Sequence, residues 1–388
     1  MPQLVAKLAR LKAVDWDFAK AKTNSATHAL HPYPAKFIPQ IPHALITELS
    51  ADGDTVGDIF CGSGTTLVET LRLHRNAVGV DANPLACLIS RAKTSKLVRE
   101  DSSELLELVV KAASVSESVP AGFISPHWRP DYAKLTFWFD SQVIEELAEI
   151  KHWCDALPTP QLKDLGHTAL SSIIVAVSRQ DSDTRYVRRE KNLQPGDTFK
   201  RFSRALEQSV KSALELSEQI GDDLDCTVVN QSLLDSPKIP CLDLMVCSPP
   251  YPNAYSYHLY HMTRMVWLGM DQPTFKKAEI GSHRKYSSKG KNGATVETFR
   301  GEFVHILKWL AGHLKPNGFA CFVVGDSTLK GERIDNAKLI SDAGLEAGFV
   351  EAERVERTML ASKKSFNPAI GKIKTEAIVI LQNKAGTS

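Results

Sequence analysis

Ser248-Pro249-Pro250-Tyr251 places a hydroxyl, two rigid rings and a phenol just after the mostly apolar run Leu242–Val246. Proline ends strands and fixes φ, so the carbonyls of such a turn are held in place. Ser248 Oγ and the Pro249 carbonyl are suited to accept from the N–H groups of an aromatic amine. That amine is a poor nucleophile while its lone pair is delocalised into its ring. Fixed acceptors on its N–H groups draw the nitrogen toward a tetrahedral shape and aim the lone pair outward, which is preorganisation rather than flexible binding. Tyr251 offers a face on which a flipped-out base can stack, worth roughly 1–3 kcal/mol by analogy with single-strand binders. Tyr255 and Tyr257 are candidates for the same pocket. Alone, the tetrapeptide also reads as a turn leaving a strand, with Tyr251 covering an apolar edge.

The second constellation is DIFCGSGTT, Asp58–Thr66. Gly62 and Gly64 permit a tight turn and close backbone approach to a ligand. The lysine of a triphosphate-binding P-loop is missing, and Leu67 stands where a dinucleotide fingerprint needs its third glycine. A turn with no pyrophosphate cradle suits an adenosyl ligand without phosphates, such as S-adenosylmethionine. Asp81 lies about 20 residues on, the position from which a carboxylate accepts from ribose hydroxyls.

The elements that must position these residues follow from local pattern. Thr55–Phe60 reads as a strand, Cys61–Gly64 as a turn, Leu67–His74 as a helix opened by a Thr66/Glu69 capping box, and Asn76–Val80 as a second strand ending at Asp81. That is a βαβ unit and hence a parallel sheet. His31–Pro42, with four prolines, reads as an extended connector to a helix over His43–Ser50; residues 84–115 read as helical and 116–135 as loop. Helical pattern dominates from Phe137 to about Ile220, and strands resume with DCTVVNQSLLD, CLDLMVCSPPY, FACFVVGD after the turn LKPNG, AGFVEAERVER and KTEAIVILQ. The expected fold class is α/β, with a mixed, mostly parallel sheet and a helical insertion. The expected division is a leader over residues 1–30, a core over 31–100 and 222–388, and an insertion over 101–221.

The chain has 388 residues, 43% hydrophobic and 24% charged, with a formal net charge of +2, so global charge does not mark a nucleic-acid binder. No run of about 18 apolar residues predicts a membrane span, and the first residues do not resemble a secretory signal. Seven cysteines without a C-x-x-C pair support neither a disulfide framework nor a zinc site, and a reducing cytoplasm is expected. His258 and His261 are read as helix-face residues and no metal is expected; Trp128, Trp138 and Phe139 are expected in a core.

With both motifs in view, the sequence resembles the amino-directed DNA methyltransferases, which methylate cytosine N4 or adenine N6 from S-adenosylmethionine. DIFCGSGTT resembles their cofactor motif, SPPY their catalytic motif and HPYPAKF (His31–Phe37) the segment over the methionine end of the cofactor. The resemblance implies a Rossmann-like methyltransferase core. It implies cofactor contacts from Asp58, Phe60, Cys61, Gly62, Ser63, Gly64, Thr65 and Ala82, with Asp81 at the ribose and Asn83 at the adenine. It implies that Tyr33, Lys36 and Phe37 close the methionine end, and that Ser248, Pro249, Pro250 and Tyr251 hold the target amine. Serine in first place resembles the cytosine-N4 members more than the adenine-N6 members. The motif order, Gly turn before SPPY, departs from many cytosine-N4 enzymes. Related Pro-Pro-Tyr turns serve on RNA and on protein glutamine, and an inactive nucleic-acid-binding module is the reading of a different class.

Double-stranded DNA is the expected partner, with a companion restriction endonuclease as a further possibility and the oligomeric state open. Arg179, Arg185, Arg188 and Arg189 in one basic stretch, and Arg284, Lys285, Lys289 and Lys291 in another, are the candidate phosphate contacts. The alternative for each stretch is a solvated surface run. The insertion is the candidate target-recognition region.

Overall fold

The structure, a computed structural model, describes residues 2–183, 185–252, 255–286, 293–358 and 375–384. Among these, seven strands form the central sheet: β1 (Thr55–Asp58), β2 (Asn76–Asp81), β3 (Cys226–Asn230), β4 (Leu242–Cys247), β5 (Leu314–Gly325), β6 (Phe349–Thr358) and β7 (Thr375–Asn383). Their spatial order is β6-β7-β5-β4-β1-β2-β3. Strands β3, β2, β1, β4 and β5 are parallel, while β7 is antiparallel to both β5 and β6. The sheet is the mixed, mostly parallel one expected of an α/β fold. The strand order reverses between β1 and β4. In an open α/β sheet a ligand crevice lies outside the carboxyl ends of the strands at such a switch point. Those two ends carry the glycine turn and the SPPY turn.

The longer helices are α1 (Pro2–Lys12), α2 (Gln40–Leu49), α3 (Thr65–Arg72), α4 (Pro84–Thr94), α5 (Ser103–Ser118), α6 (Ser141–Ala156), α7 (Pro160–Val177), α8 (Asp197–Ser217), α9 (Val296–Ala311) and α10 (Asn336–Glu346). Successive strand residues point to opposite faces. Leu244 and Val246 of β4 therefore join the core with Leu11 of α1 and Ile41 and Leu45 of α2. Met245 and Cys247 join Phe299 and Phe303 of α9 and Ile340 of α10 on the other side. Each such side chain, fully buried, contributes about 1.5–3 kcal/mol.

Several local expectations are corrected. Pro42 sits in the first turn of α2, where its missing N–H costs nothing, so the helix starts at Gln40 rather than His43. The expected helix over 84–115 breaks after Thr94, where the Thr94 and Ser95 hydroxyls bond back to the Ser90 and Arg91 carbonyls. The Thr66/Glu69 capping box does not form: Gly64 is the N-cap, with φ 76° and no side-chain cap. Glu69 is instead buried against His28 Nε2 and His43 Nδ1, both at 2.8 Å. Burial pushes its carboxyl up, but these bonds outweigh it and hold the group at about 2. The turn LKPNG lies inside β5 as a bulge, because pairing jumps from Leu242/Leu314 to Leu244/Phe319. Trp138 and Phe139 are buried as expected, but Trp128 is 52% exposed, lying under the Lys151 ammonium.

Parts of the N-terminal segment pack on the core. Leu11 and Trp16 are buried, Arg357 Nε donates to the Trp16 carbonyl, and His28 holds Glu69 of α3. Helices α5 to α8 share one hydrophobic cluster with Ala92 of α4 and with Met262 and Trp267 beyond the SPPY turn. The charged stretch between α7 and α8 contains a hairpin, Gln180–Ser182 against Arg185–Arg188.

Candidate functional site

A cavity of about 1000 Å³ opens at the carboxyl ends of β1, β2 and β4. The glycine-turn residues Phe60, Cys61, Gly62, Ser63 and Thr65 form one wall, with Asp81, Ala82 and Asn83 from the end of β2. Ser248, Pro249, Pro250 and Tyr251 form another part of its lining, and Tyr33, Lys36 and Phe37 line the same space. Two further residues assigned to cofactor contact stand behind the wall rather than on it. Asp58 is 1% exposed, accepts from the Phe60 N–H at 3.1 Å and is pushed up to about 7 by burial. Gly64 packs on Ser90, where a Cβ would lie 2.9 Å from Oγ and 3.1 Å from Cα; glycine is required there for space as well as for its φ.

The glycine-turn wall is held by its own residues. Asp81 Oδ2 accepts from the Gly62 N–H at 2.9 Å and Oδ1 from the Asn83 N–H at 2.8 Å. Each oxygen keeps a lone pair for a further donor. Burial, with the charge of nearby Glu279 adding to it, pushes Asp81 up to about 6. Asn83 caps α4 through the Leu85 N–H and also donates to Tyr33 Oη at 3.3 Å. Tyr33 stacks on Tyr257 at 5.6 Å and 19°. Its ring edge lies 3.5 Å from where a Cβ on Gly62 would stand.

The SPPY wall is held from outside. The Tyr251 phenol meets the Ser248 side chain and the Gly325 backbone, and burial raises it well above its usual range. Gly281, at φ +73°, presses on the turn: a Cβ there would lie 2.4 Å from the Tyr251 carbonyl and 3.2 Å from Pro250 Cβ. Beside it, Ser282 Oγ pairs with Ser256 Oγ at 3.0 Å, and the Arg284 N–H donates to the same Ser256 hydroxyl. Tyr255 and Tyr257 line the cavity with Tyr251, as the sequence suggested.

Of the basic residues, Arg185 and Arg284 line the cavity, from the hairpin and from the segment after Gly281. Arg185 also pairs with Asp181 at 3.2 Å. Arg179 is committed inside the fold, donating to the Thr136 and Phe139 carbonyls and to Glu190. Arg188 pairs with Glu190 and lies over the Phe137 ring at 5.1 Å. Arg189 is 3.6 Å from Asp181, and Lys285 Nζ donates to the Lys277 carbonyl. Lys289 and Lys291 lie outside the described residues.

Sequence reasoning missed Glu279, Ser232 and Glu376, all of which line the cavity. Glu279 is buried and bonds His258 Nδ1 at 2.6 Å, which gives that histidine a polar partner rather than a merely packed helix face. Glu376 pairs with Arg357 at 2.5 Å. The available signal for Glu279 was the glycine two residues on, in EIGSHR.

The walls fit an adenosyl group. Asp81 has spare acceptor capacity, Gly62 brings bare backbone to the surface, and Ser63 Oγ, on the wall and buried, has no partner among the described residues. The family model for DNA methylases, N6_N4_Mtase, matches residues 9–92, which hold the glycine turn and Asp81 but not SPPY. The type II methyltransferase M.MvaI of Kocuria varians is 29% identical over 275 residues, 65% of this chain and 60% of that protein. The type II methyltransferase M.MjaII of Methanocaldococcus jannaschii is 33% identical over 112 residues, 27% of this chain and 21% of that one. The chain thus spans 60% of the first relative's length and less of the second's. Among solved structures, TrmN from Thermus thermophilus is 10% identical with a TM-score of 0.35, over 89% of this chain and 49% of that one. The family match over residues 9–92 and these relatives make the chain similar to the N4/N6 amino DNA methyltransferases, and the crevice residues fit S-adenosylmethionine as methyl donor.

Proposed function

We propose that the chain methylates the exocyclic amine of a base flipped out of duplex DNA, with cytosine N4 as the first choice of target. One observation carries this reading: the glycine turn with Asp81 and the SPPY turn line a single cavity. The cofactor, when bound, supplies an electrophilic methyl group on a sulfonium. Asp81 accepts from its ribose, Asn83 stands at its adenine, and Tyr33, Lys36 and Phe37 close its methionine end. Ser248 Oγ and the Pro249 carbonyl accept from the target amine and aim its lone pair. Tyr251 packs against the base, with Tyr255 and Tyr257 completing the aromatic wall. The pocket's rings and prolines exclude water from the amine while it is held.

Arg185 and Arg284 take phosphates at the mouth, and the helical region 101–221, through its hairpin, reads the target. The type II designation of the relatives supports modification beside a companion endonuclease, on DNA in the cytoplasm. Serine at position 248 supports cytosine N4 through the family resemblance. The test is to incubate the full chain with methyl-labelled S-adenosylmethionine and unmethylated genomic DNA, hydrolyse the DNA and separate the nucleosides. Label in 4-methylcytosine is expected. Label in 6-methyladenine moves the target to adenine N6, and label in neither base overturns the proposal.

A further inference from the structure

Glu279 lines the cavity that the two motifs share. Two residues on, Gly281 abuts the backbone of Tyr251 and the ring of Pro250. On its other side, the Glu279 charge acts on Asp81 and on the Tyr257 phenol. Its side chain lines the cavity yet is only 4% exposed. The carboxylate is fixed from behind: Oε2 accepts from His258 Nδ1 at 2.6 Å and Oε1 from the His258 N–H at 3.3 Å. The His258 carbonyl is in turn held by Gln272 Nε2 at 3.0 Å. A carboxylate is thus held in place on the cavity that both motifs line. On the proposed reading, the reacting sulfur lies in that same cavity.

We propose that Glu279 discriminates by charge between the cationic donor and its neutral product, favouring S-adenosylmethionine over S-adenosylhomocysteine. The inference rests on S-adenosylmethionine as the cofactor. The two ligands share ribose, adenine and amino-acid groups and differ at sulfur, a methylsulfonium in one and a thioether in the other. Every other contact is common to both, so a carboxylate near the sulfur acts on their ratio rather than on their shared affinity. Losing the charge at transfer weakens the hold on the spent cofactor and favours its release.

The experiment is calorimetric titration of the full chain with each ligand, for the unaltered protein and for Glu279→Gln. The glutamine keeps the shape and removes the charge. The expected result is a drop of roughly tenfold in the donor-to-product affinity ratio, the scale of one partly shielded charge pair. An unchanged ratio, whether both affinities fall together or neither falls, overturns the proposal. The unaltered chain carries a second test that needs no variant. An analogue with a protonated amine in place of the methylsulfonium is expected to bind at least about fivefold tighter than S-adenosylhomocysteine, and equal affinity overturns the proposal. If the unaltered chain binds neither adenosyl ligand, the cofactor assignment itself is what has failed.

Discussion

The two walls of the cavity are built in different ways. The glycine-turn wall comes mainly from one continuous βαβ unit, β1–α3–β2, and Asp81 is locked by N–H groups from Gly62 of that unit and from Asn83, two residues on. The SPPY wall is assembled from separate parts of the chain: the turn itself, Gly281 pressing on it, Gly325 at the end of β5, and Glu376 on β7. A wall made locally is preset by its own sequence. A wall made by distant segments depends on how each is packed, and damage far from the turn reaches the chemistry.

Removing the proposed amine acceptor is the largest test of that difference. Ser248→Ala is expected to lower kcat by about 10²- to 10³-fold, the worth of one preorganised group at a reacting centre, with cofactor affinity unchanged. Equal losses in cofactor affinity would show that the walls are not separable. Gly281→Ala tests dependence on a distant segment. It places a Cβ 2.4 Å from the Tyr251 carbonyl at φ +73°, so the turn must shift. A kcat loss of about a hundredfold is expected, the cost of a displacement on the order of 1 Å, and again cofactor affinity holds. A variant with full kcat would sever the SPPY turn from its outer support.

On the other wall, Asp81→Ala is expected to weaken S-adenosylmethionine by about thirtyfold, near 2 kcal/mol for hydrogen bonds to a charged acceptor, measured by calorimetry. A smaller effect follows from pH. Burial raises Asp81 to about 6 in the empty protein, above its ordinary value, so it is protonated below that pH. Ribose hydroxyls donate to the ionised form, so cofactor affinity falls as pH drops through about 6, by up to tenfold per unit. Affinity flat between pH 5 and 8 would contradict that role.

The smallest effect separates two arginines of one basic stretch. Arg185→Ala at the cavity mouth is expected to weaken DNA binding about fivefold and reduce the salt slope by about one, with folding stability unaffected. Arg179→Ala should instead cost about 1–2 kcal/mol of stability, read by denaturant titration, because it strips donors from the Thr136 and Phe139 carbonyls. Its effect on DNA affinity should be small.

The same contrast explains what the sequence made legible. The parallel core, the strands through Asp81 and Cys247 and the two turns follow from short-range pattern, in which glycine, proline and apolar runs act within a few residues. Glu69 was misread because a capping box is a local pattern, while its actual partners, His28 and His43, are 41 and 26 residues away. Glu279 was missed for the same reason. Its place beside Asp81 exists only once Gly281 has packed against a turn formed some thirty residues earlier. Arg179 and Arg185 look alike in sequence, and only the hairpin turns one into the fold and the other toward the cavity.

The most direct test of the shared cavity is the electron density of a crystal of the full chain soaked with S-adenosylhomocysteine. The adenosyl group is expected against Gly62, with both ribose hydroxyls on Asp81 and the sulfur facing Ser248 Oγ across an opening large enough for a methyl group and an amine. Density at another site, or a sulfur turned away from the SPPY turn, would contradict the account.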